Sequence, residues 1–378
     1  MEWSTVWLHE CSNFSALPFK MNELTEIVQM TLNENGEALR FELTNLYGKQ
    51  DILFDEINLS TDKEFHVKQQ ISFQRQRKVI IKHGSKVLTD PVQLKIIPGM
   101  KIFLQLISKK PQEYMDFAST YDTSETNAII VRKADVKAKL SKNNSARHGW
   151  FCLRRAEILT RKRAKKIAIV GDSLAEMGYI SSELAEVFRS DYPGEITVLN
   201  YGVSGQRLLN NAPQDEPLFT TFGMKVRENV KTAIDDGVDL IVIISGLNDL
   251  VLPLFSKQAA NQVVNEYDLF DEIRYLIDFG RESAKIIECS ITPFEIGHGK
   301  EIHTKLMEQN ISTRLKFNKL LRKYCTNTLI DSASLMGDID QLRLQKKYDL
   351  GDHLHINKEG GAMVAQEIFN KAQIWLDF

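Results

Sequence analysis

Two hydrophobic rhythms divide the chain. Up to about residue 160, apolar side chains alternate with polar ones over short runs. In ALRFEL (38–43), Leu39, Phe41 and Leu43 fall on one face, and KVIIKH, VQLKII and KIFLQLI follow at short intervals. That period is the signature of a half-buried strand. Asn35-Gly36, Tyr47-Gly48, His83-Gly84 and Pro98-Gly99 punctuate the runs with turn chemistry. Many short strands with no helical stretch between them predict a β-sandwich, with GWFCLRRAEIL (149–159) as its last strand.

Beyond residue 163 strands and helices alternate. KIAIV (166–170), ITVLNY (196–201), DLIVIIS (239–245), AKIIECSI (284–291) and NTLID (327–331) read as strands. Between them FGMKVRENVKTAIDDG and LFDEIRYLIDFGRES repeat apolar residues at three and four, and EGGAMVAQEIFNKAQIWL closes the chain as an amphipathic helix. Five strands joined by crossover helices predict a parallel, doubly wound α/β sheet. The expected organisation is therefore two domains, an accessory β-sandwich over 1–163 and an α/β catalytic domain over 164–378, in keeping with a length of 378 residues.

Composition narrows the partners. Hydrophobic residues at 43% and charged residues at 26% are ordinary for a soluble globular protein. A formal charge of −2 implies no nucleic acid partner, and the basic run RKRAKK (161–166) reads as a solvated linker. The N-terminus has neither a basic leader nor an unbroken apolar run, and the longest apolar runs, such as LIVII (240–244), fall well short of a membrane span. These features predict a cytoplasmic protein with no membrane partner. Cys11, Cys152, Cys289 and Cys325 are too scattered for a metal or redox motif, so they read as free thiols, and no metal or other cofactor is expected.

Candidate chemistry gathers at the strand exits, where open parallel sheets bind ligands. GDSL follows the first strand, NYGVSGQ the second and SGLNDL the third, while DLGDHLHINKEGG follows the fifth and leads into the last helix. Together they offer a hydroxyl nucleophile (Ser173), a base with an orienting carboxylate (His355 and Asp352), and oxyanion donors in the N–H groups of Ser173 and Gly205 and the Asn248 amide. Acyl transfer needs that set. Singly, each has a plainer reading: Ser173 as a helix N-cap, Gly205 as a turn glycine, Asn248-Asp249 as a cap pair, Asp352 and His355 as loop surface. A rival reading takes Asp349, Asp352, His353 and His355 as ligands of a metallohydrolase, but no second cluster completes the shell and Ser173, Gly205 and Asn248 stay unused. No G-x-S-x-G is present, so the serine does not belong to an α/β-hydrolase elbow.

From about residue 165 to the end, the blocks GDSL, GVSG, GLND and DHLH, in that order, resemble the SGNH (GDSL) hydrolase family. The resemblance implies a flavodoxin-like three-layer domain and metal-independent hydrolysis of acyl esters, with Ser173, Gly205 and Asn248 in the first three of the family's four motif blocks and Asp352 and His355 in the fourth. LRFELTNLYGKQDILFDEINLS and SKVLTDPVQLKIIPG are similar to the jelly-roll-like β-sandwich that precedes this domain in two-domain bacterial esterases, whereas GDSLAEMG departs from the GDSIT-x-G ending common there. The implied substrate is a short-chain acyl ester of a small alcohol, among them O-acetyl groups on carbohydrate. Acyl transfer to another alcohol and a lipid-type esterase are the alternatives. A carbohydrate-binding or active-site-covering role for the sandwich competes with simple core packing of Trp3, Trp7, Phe14, Phe19 and Phe41.

Overall fold

The structure, a computed structural model, describes residues 1–141, 146–213, 223–295 and 304–376. Two compact units emerge, Met1–Lys165 with Ala185–Leu199, and Lys166–Leu184 with Asn200–Phe378.

The N-terminal region is all-β and antiparallel. One five-stranded sheet runs in the order Glu2–Leu8, Leu153–Thr160, Gly36–Asn45 and Ser85–Leu88, with Val92–Ile96 also paired to Gly36–Asn45. A second runs Thr126–Val131, Leu24–Leu32, Met100–Ser108, Glu56–Ser60 and Gln69–Gln70, and its register is unbroken from Met100↔Leu32 to Ser108↔Leu24. Leu39, Phe41 and Leu43 are fully buried, as their alternation predicts. Their neighbour Glu42 is buried too, held by ion pairs to Arg154 (2.8 Å) and Arg155, so this strand has no purely solvated face. Core packing also claims Trp7, Phe14 and Phe41, all buried, while Trp3 lies under the Arg40 guanidinium at 4.2 Å and Phe19 stacks on Phe117.

The predicted last strand, 149–159, is two strands, His148–Phe151 and Leu153–Thr160. Cys152 between them has φ +62°, a left-handed conformation that breaks the pleat and sends the two halves to different sheets. The basic run also divides: Arg161 and Lys162 lie between strands, whereas Lys165 and Lys166 open the first parallel strand.

The parallel sheet comprises Lys165–Gly171, Ile196–Gly202, Leu240–Ile244, Lys285–Cys289 and Leu329–Ile330, in the spatial order second, first, third, fourth, fifth. This is the flavodoxin-like order, whose switch point lies between the first and third strands. Leu240–Ile243 and Ile167–Val170 are buried throughout, as strands covered on both faces must be. The predicted helices occupy Val226–Asp235, Glu266–Gly280 and Lys358–Trp375, and Phe222 at the start of the first predicted stretch lies outside the described residues. Two further helices, Tyr179–Asp191 and Thr304–Tyr324, complete the connections. Among the described residues no helix is long and apolar enough to cross a membrane.

Candidate active site

The first parallel strand ends at Gly171, where a Cβ would sit 1.9 Å from the Ile244 carbonyl oxygen on the third strand. Only glycine lets the two strands approach at the switch point. The chain then turns into the short helix Ser173–Glu176. Its N-cap is Asp172, whose Oδ1 accepts the Leu174 N–H at 3.0 Å. The capping role open to Ser173 in the sequence thus falls to its neighbour. Ser173 is the first helical residue, and its hydroxyl meets His355 Nε2 at 2.9 Å.

His355 comes from the loop that leads into the last helix. Asp352 Oδ2 lies 2.6 Å from His355 Nδ1, and Asp352 Oδ1 accepts the N–H groups of Leu354 (3.0 Å) and His355 (2.8 Å). Although partial burial raises the Asp352 carboxyl, the bonds from His355 outweigh it and bring it down to about 2. An ionised carboxylate only accepts, so Nδ1 carries the proton and the Nε2 lone pair faces Ser173. Asn357, two residues on, caps the last helix through the Gly360 N–H (3.0 Å) and ties the loop back to Lys347 O at 2.9 Å.

Gly205 and Asn248 converge on the same place through their neighbours. Asn248 Nδ2 donates to Gln206 O at 3.1 Å and reaches Asp172 Oδ2 at 3.3 Å, which joins the residue after Gly205 to the residue before Ser173. Gly205 has φ +76°, in the left-handed region that glycine enters without strain. Its N–H and that of Ser173 take no acceptor among the described residues. Ser173, His355 and Asp352 are therefore linked directly, and Gly205 and Asn248 join them by way of Gln206 and Asp172.

Three buried carboxyls surround this centre, of which the sequence offered a role only for Asp249, as half of a cap pair with Asn248. Burial raises Asp172 to about 7 against the opposing Leu174 N–H and His355, with Asp249 adding to the rise. Asp249, fully buried, is also raised by burial against Arg207, whose Nε lies 3.8 Å away. Burial in turn lowers the Arg207 guanidinium. Glu176, 2% exposed, accepts the Ser204 N–H at 2.6 Å. Asp172 and Asp249 sit inside the motif blocks and Glu176 sits in the AEMG departure, and that adjacency was the available signal.

The rival metal ligands resolve into two separate pairs. Asp349 Oδ2 holds His353 Nδ1 at 2.6 Å, as Asp352 holds His355. Among the described residues no group of three or more His, Cys, Asp or Glu side chains is placed to hold a metal ion.

The GDSL-like Lipase/Acylhydrolase family model matches residues 167–368, more than half of the chain. No curated protein matches significantly. Among solved structures, a carbohydrate acetylesterase family member from Sinorhizobium meliloti is similar at 15% identity and a TM-score of 0.41, covering 57% of this chain and 100% of its own. A GDSL-like lipase from Bacteroides thetaiotaomicron is similar at 19% identity and a TM-score of 0.39, covering 55% of this chain and 89% of its own. The inhibitor-bound aryl esterase of M. smegmatis is similar at 13% identity and a TM-score of 0.41, covering 56% of this chain and 100% of its own.

Proposed function

Because the chain belongs to the GDSL-like lipase/acylhydrolase family, and with it to the carboxylic ester hydrolases, we propose that it cleaves short-chain acyl esters through an acyl-enzyme on Ser173. The observation that carries this reading is the hydrogen-bonded chain from Ser173 Oγ through His355 to Asp352. His355 Nε2 takes the hydroxyl proton as Ser173 attacks the ester carbonyl, and Asp352 holds the imidazole in place and stabilises its protonated form. The N–H groups of Ser173 and Gly205 and the Asn248 amide receive the oxyanion. For Asn248 this means turning the hydrogen aimed at Asp172 towards the substrate oxygen. His355 then protonates the departing alcohol and, as base again, activates the water that releases the acyl group.

O-acetyl esters of sugars or other small alcohols are the substrates we assign. We assign residues 164–378 to catalysis and residues 1–163 to an accessory β-domain. All four cysteines are free and buried, the state a reducing compartment maintains, and this supports a cytoplasmic location.

Hydrolysis of p-nitrophenyl acetate by the wild type and by Ser173→Ala, with and without EDTA, tests the mechanism. Loss of activity in the variant and indifference to chelator are expected; an active variant, or an enzyme that EDTA silences, overturns it. A series of nitrophenyl esters is expected to peak at acetate or butyrate, and a peak at octanoate or beyond refutes the short-chain assignment. With sugar alcohols added, transfer product exceeding hydrolysis makes the enzyme an acyltransferase instead.

A further inference from the structure

We propose that Glu176 and Asp249 are positioning residues that clamp the loop 203–209 from both sides and so aim the Gly205 N–H at the substrate oxyanion. The inference rests on the serine mechanism above and adds to it the groups that hold its oxyanion loop in place.

The two carboxylates come from the two elements that carry the other proposed oxyanion donors. Glu176 ends the short helix that Ser173 begins, and Asp249 follows Asn248 in the helix Leu247–Val251. On one side of Gly205, Glu176 Oε2 accepts the Ser204 N–H at 2.6 Å. On the other, Asp249 accepts the N–H groups of Leu208 at 2.6 Å and Leu209 at 2.9 Å. Two more amides of the loop are engaged, Val203 N–H with Gly171 O at 2.9 Å and Gln206 N–H with Val203 O at 3.0 Å, while that of Arg207 has no acceptor among the described residues. Gly205 N–H is passed over in this sequence of bonds, left without an acceptor among the described residues.

Carboxylates suit this task because each offers several lone pairs to backbone donors in a fixed place. Buried anions beside a developing oxyanion also repel it unless their own charge is absorbed. Arg207 beside Asp249, and the N–H donors on both carboxylates, do that here. Neither carboxylate touches the reacting atoms; each acts through the backbone it holds. Displacing a catalytic group by about 1 Å can cost roughly 100-fold.

The test compares Glu176→Ala, Glu176→Gln and Asp249→Ala with Ser173→Ala in the full-length protein, using p-nitrophenyl acetate and, as a transition-state mimic, an alkylboronic acid that forms a tetrahedral adduct on serine. Glu176→Ala and Asp249→Ala are expected to lower kcat by about 10- to 100-fold with KM changed less than about threefold. Boronate affinity should weaken by a similar factor. Glu176→Gln keeps an amide oxygen for the Ser204 N–H and should recover most of the loss. Should Asp249→Ala fail to fold, the Glu176 pair alone decides. If the alanine variants lose thermal stability but keep kcat and boronate affinity, the carboxylates are structural and the inference is wrong, while an inactive Ser173→Ala leaves the serine mechanism standing. If Ser173→Ala is active, the mechanism itself fails first.

Discussion

Ser173 Oγ and His355 Nε2 lie 2.9 Å apart although 182 residues separate them in the chain. The contact exists because two local decisions coincide. Asp172 takes over the helix cap and frees the serine hydroxyl, while the Asp352 turn and the Asn357 cap hold the histidine loop against it. On this geometry Ser173→Ala and His355→Ala should each reduce kcat by about a million-fold for p-nitrophenyl acetate, and Asp352→Asn by about 10,000-fold, since it leaves the imidazole in the wrong tautomer. Steady-state kinetics, with labelling by a fluorophosphonate as an independent count of active serine, checks the order of these losses.

Asn248 is engaged on both sides in the free protein, with Gln206 O at 3.1 Å and Asp172 Oδ2 at 3.3 Å. The longer of these bonds is the one given up to the oxyanion. Asn248→Ala should therefore lower kcat by about 100- to 1,000-fold with little effect on KM. A variant that raises KM at unchanged kcat would assign Asn248 to ground-state binding instead.

Burial holds three carboxyls protonated into the neutral range: Glu26 to about 8, and Asp172 and Glu288 to about 7. In the unfolded chain the same groups ionise near about pH 4. Between about pH 4 and 8 the native state thus binds more protons than the unfolded one, and stability falls as pH rises. Asp352, held down at about 2, acts oppositely, but its contribution is lost only as the pH falls below about 4. Melting temperature should be higher at about pH 5.5 than at about pH 8.5, and Glu288→Gln should flatten that slope. A melting temperature that climbs with pH across this interval would contradict the assignment of these buried acids.

Gly171→Ala places a methyl group 1.9 Å from the Ile244 carbonyl oxygen and 2.8 Å from its carbon, both backbone atoms that a rotamer change cannot move. The first and third strands would have to part, at a cost of about 3 kcal/mol or more. Urea unfolding of the variant, monitored by tryptophan fluorescence, reads this directly, and a loss under about 1 kcal/mol would mean the strands separate easily.

Much of the fold was legible because burial on both faces leaves an unmistakable local record. LIVII and KIAIV read as covered parallel strands, and the last helix, Lys358–Trp375, announced itself through its spacing. The helix Thr304–Tyr324 left no such record. Its inward face carries Asn310, Thr313, Arg314 and Asn318 beside Phe317 and Leu321, so the apolar period is interrupted by polar residues. Three of these find partners from elsewhere in the chain: Asn310 donates to Leu250 O at 2.5 Å, Asn318 brackets Ile291 through both its N–H and its carbonyl, and Arg314 reaches Gln341 O.

The sequence by itself determined the five strands of the catalytic sheet, the family of the chain and the five residues at the strand exits, because periodicity and motif spacing are local properties of a few adjacent residues. Tertiary structure alone decided that Asp172 rather than Ser173 caps the helix, that Cys152 splits the predicted last strand, and that Glu176 and Asp249 close around the loop bearing Gly205. Those outcomes depend on which buried N–H finds which carboxylate. The energy of such a bond is set by burial and by donors far away in the chain, and no local pattern encodes either.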